Sequence, residues 1–259
     1  MARIFITGSS DGLGLMAGQL LVEWGHQVTL HARNGARAAD ARRSLPQAEA
    51  AVVGDLSGIA QMRHVAAQVN ALGRYDAVIH NVGIGYREPR RVKTVDGLEH
   101  VFAINVLAPY LLTALITPPD RLIYLSSGMH MGGNAGLEDP QWTARPWNGS
   151  QAYSDSKLFD TVLAFAVARK WPKVLSNALE PGWVPTKMGS AAAPDDLALA
   201  PVTQAWLAVS DDAAAKVTGQ YFRYQKRHRV NEAAQRVDLQ DQLLAYCARL
   251  SDVTLPDGS

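Results

Sequence analysis

The sequence predicts one doubly wound α/β domain, with a mainly parallel central sheet and helices on both faces. Short apolar runs alternate with segments of helical period along most of the chain, and a glycine-rich turn joins the first run to the first such segment. Nothing repeats at a solenoid period, and no low-complexity linker divides the chain. Alternation of this kind gives a parallel sheet, because right-handed crossovers lay the helices over both of its faces. At 259 residues, 47% hydrophobic and 19% charged, the chain has the composition of a globular domain with a sizeable core.

The first run, RIFIT (3–7), is a strand that enters the turn TGSSDGLG, Thr7 to Gly14. LGLMAGQLLVEW follows with apolar residues at helical spacing and Gly25 as its C-terminal cap. HQVTLHA (26–32) reads as the second strand, and the Ala/Arg-rich GARAADARRSL after Asn34 as a helix stopped before Pro46. AAVVGD gives a third strand, GIAQMRHVAAQVNAL an amphipathic helix, YDAVIHN a fourth strand, and 96–116 a mainly helical stretch. Pro118 and Pro119 break the pattern before the strand RLIYLS (121–126). A long Gly/Trp/Pro-containing loop then leads to a helix carrying YSDSK (153–157). VLSNALEPGWV (174–184) is a further strand with a Pro-Gly end, and 231–250 reads as a helix.

A net charge of +1 gives no reason to expect nucleic acid or an anionic membrane as partner, and the basic cluster KRHR (226–229) reads as solvated surface. The single cysteine, Cys247, excludes an intrachain disulfide and any Cys-x-x-Cys metal or redox site, which fits a reducing cytoplasm. MARIFITG lacks the pattern of a secretory signal, so no targeting peptide is expected. The longest apolar stretch, 101–116, is interrupted by Asn105 and Pro109 and is short for a membrane span. None of the seven histidines sits at metal-ligand spacing from another ligand, so no metal is expected.

Gly8, Gly12 and Gly14 fall where missing side chains let backbone amides approach a pyrophosphate at a helix N-terminus. That position in an alternating chain predicts dinucleotide binding. At the end of the second strand an acidic residue selects NAD, and an arginine accommodates the extra phosphate of NADP. LHARN carries no acid there; Arg33 offers a planar fork of donors to a 2′-phosphate, so NADP is expected over NAD. Asp11, just before Gly12, argues mildly for NAD, since its carboxylate would repel that phosphate.

TGSSDGLG, HNVG (80–83), Asn105, the Ser126–Ser127 pair, YSDSK and EPGWVPT (180–186) occur in an order that resembles the short-chain dehydrogenase/reductase family. The resemblance covers residue 3 to about 225, and the loop between Ser127 and Tyr153, with SSGMH and PGWVPT, is most similar to the retinol-dehydrogenase-like branch. It implies a Rossmann fold over 1–259 with a substrate flap at about 186–205, and a homodimer or homotetramer in which the helices at 101–116 and 152–170 pack against a partner. It also implies that Gly8, Ser10, Gly12 and Leu13 line the cofactor phosphates, that Asp55 and Leu56 meet the adenine, and that Asn81 and Gly83 border the adenosine side. Pro181, Gly182, Val184 and Thr186 would bind the nicotinamide end, with Thr186 bonding the carboxamide. HNVG departs from the commoner Asn-Asn-Ala-Gly at His80 and Val82; His80 reads as hydrogen-bonded scaffold.

The implied activity is NADP-dependent interconversion of a carbonyl and an alcohol on a small molecule. A free phenol holds its proton to a pH near 10, so Tyr153 needs the positive charge of Lys157, four residues on and on the same helix face. By the resemblance, Tyr153 is the acid in reduction and the base in oxidation, while Lys157 also holds the nicotinamide ribose. Ser127 would stabilise the developing oxyanion while Ser126 supports the turn, and Asn105 would hold a relay water through its backbone. Trp142, Trp147, Trp183 and His130 are candidates to line the substrate pocket. Two alternatives use the same motifs: a nucleotide-sugar epimerase or dehydratase, which has little chain after residue 190 for a sugar lobe, and a non-catalytic NADP sensor, which has no need of a proton-transfer set.

Overall fold

The computed structural model describes residues 1–258. Its strands are β1 (Arg3–Ile6), β2 (Gln27–Ala32), β3 (Ala50–Val53), β4 (Ala77–His80), β5 (Arg121–Leu125), β6 (Leu175–Glu180), β7 (Tyr221–Arg223) and β8 (Lys226–Arg227). They form one sheet in the order β3-β2-β1-β4-β5-β6-β7-β8, parallel throughout except for the antiparallel β7–β8 edge. The helices are α1 (Gly12–Glu23), α2 (Gly35–Ser44), α3 (Ile59–Ala71), α4 (His100–Phe102), α5 (Ala108–Leu115), α6 (Gly149–Lys170), α7 (Val202–Val209) and α8 (Val237–Ser251).

Side chains alternate across each strand, so one strand feeds two cores. Ile4, Ile6 and Ile79 pack with Leu21 of α1, Ala41 of α2 and Trp206 of α7, while Phe5, Val78 and Tyr124 pack with Val65 of α3, Leu111 of α5, Phe159 of α6 and Leu243 of α8. Both faces are therefore covered, which is why the strands read as nearly continuous apolar runs. Phe5 and Phe159 are fully buried, and truncating such a ring to alanine costs about 3–5 kcal/mol. Residues after Val202 add α7, β7, β8 and α8 to this single domain.

Three elements differ from the sequence expectation. The helical stretch at 96–116 starts at His100, where the Glu99 carboxylate accepts from Val101 N and Phe102 N, and it passes through a π-helical turn at Ala103–Leu107 before α5. Pro109 falls in the first turn of α5, where a missing N–H is tolerated. The β7–β8 hairpin has no sequence signature, because its two turn residues with positive φ are Tyr224 (49°) and Gln225 (60°) rather than Gly or Asn. In the tail, a 3-10 turn at Glu232–Gln235 precedes α8, which runs to Ser251. The basic cluster begins on β8, with Lys226 and Arg227 exposed. Among the described residues no helix is long and apolar enough to cross a membrane.

Candidate active site

The strand order reverses between β1 and β4, so crossovers leave in opposite directions and open a cleft of about 1160 Å³ at the carboxyl ends of the strands. The glycine-rich turn forms one wall. Gly8 has φ +61° and its Cα–H side abuts Val82, where a Cβ would come within 2.8 Å of Val82 Cα. A Cβ on Gly14 would lie 2.7 Å from Gly8 O and run into Asn81 Nδ2, so the turn closes only around glycine. Asn81 fastens it from β4 by donating through Nδ2 to Thr7 O and Gly8 O at 3.0 and 3.1 Å.

His31, on β2, fastens the same turn from the other side. Gly8 N donates to its Nδ1 at 3.0 Å and its Nε2 donates to Gly54 O at 2.9 Å, an arrangement that requires the neutral ring. Burial agrees, pushing His31 down to about 4 against the hydrogen bond to Gly54. Asp11 occupies the N-cap of α1 yet makes no cap hydrogen bond; its Oδ2 pairs with Arg37 Nη2 at 2.6 Å and with Lys187 Nζ at 2.7 Å. Partial burial works to raise the Asp11 carboxyl, but the bonds from Lys187 and Arg37 outweigh it and hold it below the ordinary range. The first amides of α1 are left without a capping side chain.

Arg33 and Arg37 line the cleft, as do Ser10, Gly12 and Leu13. Arg37 Nη2 also reaches Ser10 Oγ at 3.3 Å. Asp55 and Leu56 do not line the cleft: Asp55 Oδ1 accepts from Ser57 N at 3.0 Å, and Leu56 is 3% exposed within the apolar core.

The opposite wall brings Ser127, Tyr153 and Lys157 together. Asn148 caps α6 by accepting from Gln151 N, which starts the helix one turn before Tyr153. Lys157 is 3% exposed; its Nζ donates to Leu125 O at 2.6 Å and lies 3.6 Å from Asp160 Oδ2. Burial pushes the Asp160 carboxyl up to about 7 against the pull of Lys157. Asn105 does not line the cleft but stands behind it: its carboxamide accepts from Ile84 N and donates to Ile84 O and Ser156 Oγ. A Cβ on Gly83 would lie 3.4 Å from Lys157 Nζ and 3.6 Å from Asn105 Oδ1, so the three groups meet at one point.

The two serines separate clearly. Both border the cleft, but Ser126 is buried, donating to Lys157 O at 2.8 Å and accepting from Thr161 Oγ1, whereas Ser127 begins a 3-10 turn and is only partly buried. His130 packs beneath that turn, donating through Nδ1 to Ser127 O at 2.7 Å and accepting from Asn231 N at Nε2, so it does not line the cleft. His80 is likewise scaffold, bonded to Thr113 Oγ1 at 3.0 Å and pushed down to about 3 by burial.

Pro181, Gly182, Val184 and Thr186 border the cleft between these walls. Thr186 Oγ1 accepts from Gly189 N at 3.1 Å, and Met188 covers the Tyr153 hydroxyl, its Sδ 3.9 Å away. Trp183 stands half exposed at the mouth; Trp142 and Trp147 pack on each other away from it.

Residues 2–197 match the family model for short chain dehydrogenases. The chain belongs to that family. An uncharacterized oxidoreductase of Emericella nidulans is 43% identical over all of both chains, and retinol dehydrogenase 13 of Homo sapiens is 29% identical over 98% of this chain and 85% of its own. Likeness to a retinol dehydrogenase thus extends along nearly the full length, below the identity to the fungal oxidoreductase. Among solved structures, an uncharacterized protein from Mycobacterium paratuberculosis superposes with a TM-score of 0.84 at 24% identity, covering 99% of this chain and 95% of that one, a likeness of fold. The Pseudomonas aeruginosa RhlG/NADP complex superposes with a TM-score of 0.65 at 25% identity, covering 85% and 93%.

In this short-chain dehydrogenase the sequence reading missed His31, Arg37, Lys187, Asp160 and Glu180 as cleft or supporting groups. Arg37 and Lys187 are ordinary surface residues by type. Only folding brings residue 187 back to residue 11.

Proposed function

We propose that this oxidoreductase uses NADP to interconvert a carbonyl and an alcohol, with Tyr153 as proton donor in reduction and acceptor in oxidation. The observation that carries the reading is the convergence of Ser127, Tyr153 and Lys157 on one cleft whose other wall is the glycine-rich turn. That turn suits a dinucleotide: its glycines admit backbone approach, and the amides opening α1 have no capping side chain. Gly8, Ser10, Gly12, Leu13, Asn81 and Gly83 would hold the phosphate and adenosine side, and Pro181, Gly182, Val184 and Thr186 the nicotinamide side. When bound, the nicotinamide supplies or takes the hydride.

The protein's own part is orientation and proton transfer. Ser127 Oγ donates to the substrate oxygen and stabilises charge as it develops there. Tyr153 Oη gives that oxygen its proton in reduction, and the buried Lys157 ammonium favours the phenolate left behind. Leu125 O fixes Lys157 from behind. Met188 and the segment about 186–205 cover the reacting atoms and limit the entry of water.

The preference for NADP is supported by charge. Arg33 and Arg37 both line the cleft, and Asp11, the one argument for NAD, is already paired with Arg37 and Lys187. No acid takes the place of Arg33 at the end of β2. The chain after Val202 completes the sheet, which supports an oxidoreductase over an epimerase with a separate sugar lobe.

The test is a cofactor-consumption screen over ketones, aldehydes and alcohols with NADPH, NADH and their oxidised forms. Reduction with NADPH at higher kcat/KM than with NADH is the expected result. Equal or better efficiency with NADH removes the NADP preference, and no consumption by any compound removes the reading.

A further inference from the structure

Glu180 ends β6 and lines the cleft, yet its burial is unusual for a carboxylate: 7% of its surface is exposed. Among the described residues nothing donates a hydrogen bond to it within 3.5 Å; Arg223 Nε stands 3.8 Å away and His228 Nε2 3.6 Å. Its carboxylate fills the space that a Cβ on Gly128 would need, in the residue next to Ser127 in the chain. A carboxylate so nearly buried has lost much of its solvation, and burial raises its pKa against the opposing pull of Arg223 and His228. Met129, Tyr86, Met188 and Trp183 add apolar surface to the same cleft.

We infer that Glu180 is the specificity-determining residue of this site, accepting a hydrogen bond from a hydroxyl or amide N–H carried by an otherwise apolar carbonyl substrate. The inference rests on the proposed carbonyl reduction at Ser127 and Tyr153. A neutral donor fits better than either ion. An anion would meet Arg223, but that guanidinium already faces Asp195 Oδ2 at 3.2 Å as well as Glu180, so it would be repelled by two carboxylates. An ammonium group would be drawn by the two carboxylates yet would meet the Arg223 guanidinium that already lies between them, so it competes with a resident cation where a neutral donor does not. Arg223 therefore offsets part of the negative charge of Glu180 and Asp195, and Glu180 stays in place to accept from a neutral group.

The experiment compares acetophenone with its 2-hydroxy, 3′-hydroxy and 4′-hydroxy derivatives and with benzoylformate, using the full chain and NADPH, and NADH where that is the better cofactor. At least one hydroxylated ketone should exceed acetophenone in kcat/KM by about tenfold or more, with benzoylformate below both. Glu180→Met should remove most of that ratio and Glu180→Gln part of it; taking ratios within each variant cancels the hydroxyl's effect on the carbonyl itself. Ratios within about threefold of unity for every hydroxylated ketone in the wild type, a preference for benzoylformate, or a ratio unchanged in both variants overturns the inference. Because the wild-type series needs no variant, a misfolded Glu180→Met does not rescue it. Turnover of acetophenone without hydroxyl preference sinks only the role of Glu180, whereas no turnover of any of these ketones or of the wider screen sinks the carbonyl-reductase reading with it.

Discussion

On the β1–β4 side of the cleft, the buried titratable groups His31 and His80 are neutral and tied by hydrogen bonds to Gly8, Gly54 and Thr113. On the β5–β7 side, Lys157, Asp160 and Glu180 bring ionisable groups into the interior. The first arrangement fixes a backbone loop at little electrostatic cost. The second keeps charge where a proton is to move, and desolvation makes that charge strong and expensive. Under the proposed function, the wall that binds and the wall that reacts are thus built from different chemistry within one sheet.

The largest effect separating the two sides is expected from Tyr153→Phe. Turnover should fall by about a thousandfold while cofactor binding, followed by fluorescence titration, changes little, because the ring stays and only the proton is lost. Wild-type-like turnover would end the division of labour.

The pH dependence of stability should differ next. The folded chain keeps His31 neutral down to about 4, while the unfolded chain protonates it near 6.5. Between those values the unfolded state binds more protons, so stability falls as the pH falls. Asp160 works the opposite way: the fold holds its proton up to about 7, so its contribution weakens as the pH rises through the range from about 4 to 7. His31→Gln, which can still accept from Gly8 and donate to Gly54, should flatten the acid loss by on the order of 3 kcal/mol in urea unfolding. Asp160→Asn should flatten the loss on the neutral side. Identical slopes in both variants would contradict the contrast.

Gly14→Ala drives a methyl into Asn81 and Gly8 and should cost about 1–3 kcal/mol in stability, with weaker cofactor binding and little change in kcat at saturation. A kcat defect instead would place the turn in the chemistry. The smallest effect is expected for Arg33→Ala: about a tenfold loss in the NADPH-to-NADH ratio of kcat/KM, since a hydrogen bond to a phosphate is lost but Arg37 remains. An unchanged ratio would shift that role to Arg37 and Lys187.

Much of the site was legible because its signals are local. TGSSDGLG lies within one turn, Tyr153 and Lys157 are one helical turn apart, and Ser127 follows a strand end. The separation of Ser126 from Ser127 was less legible, since it depends on Lys157 O and Thr161 reaching Ser126 from another element. The β7–β8 hairpin was not legible at all, since Tyr224 and Gln225 take a left-handed turn without the residues that announce one.

By itself the sequence determined the alternating order of elements, both buried faces of the sheet and the residues proposed for proton transfer, because periodicity and local spacing are properties of adjacent residues. Only the tertiary structure decided which charges meet. Lys187 reaches Asp11, Glu180 settles against Gly128, and His31 fastens Gly8, each through a contact between residues that the sheet order brings together from distant parts of the chain.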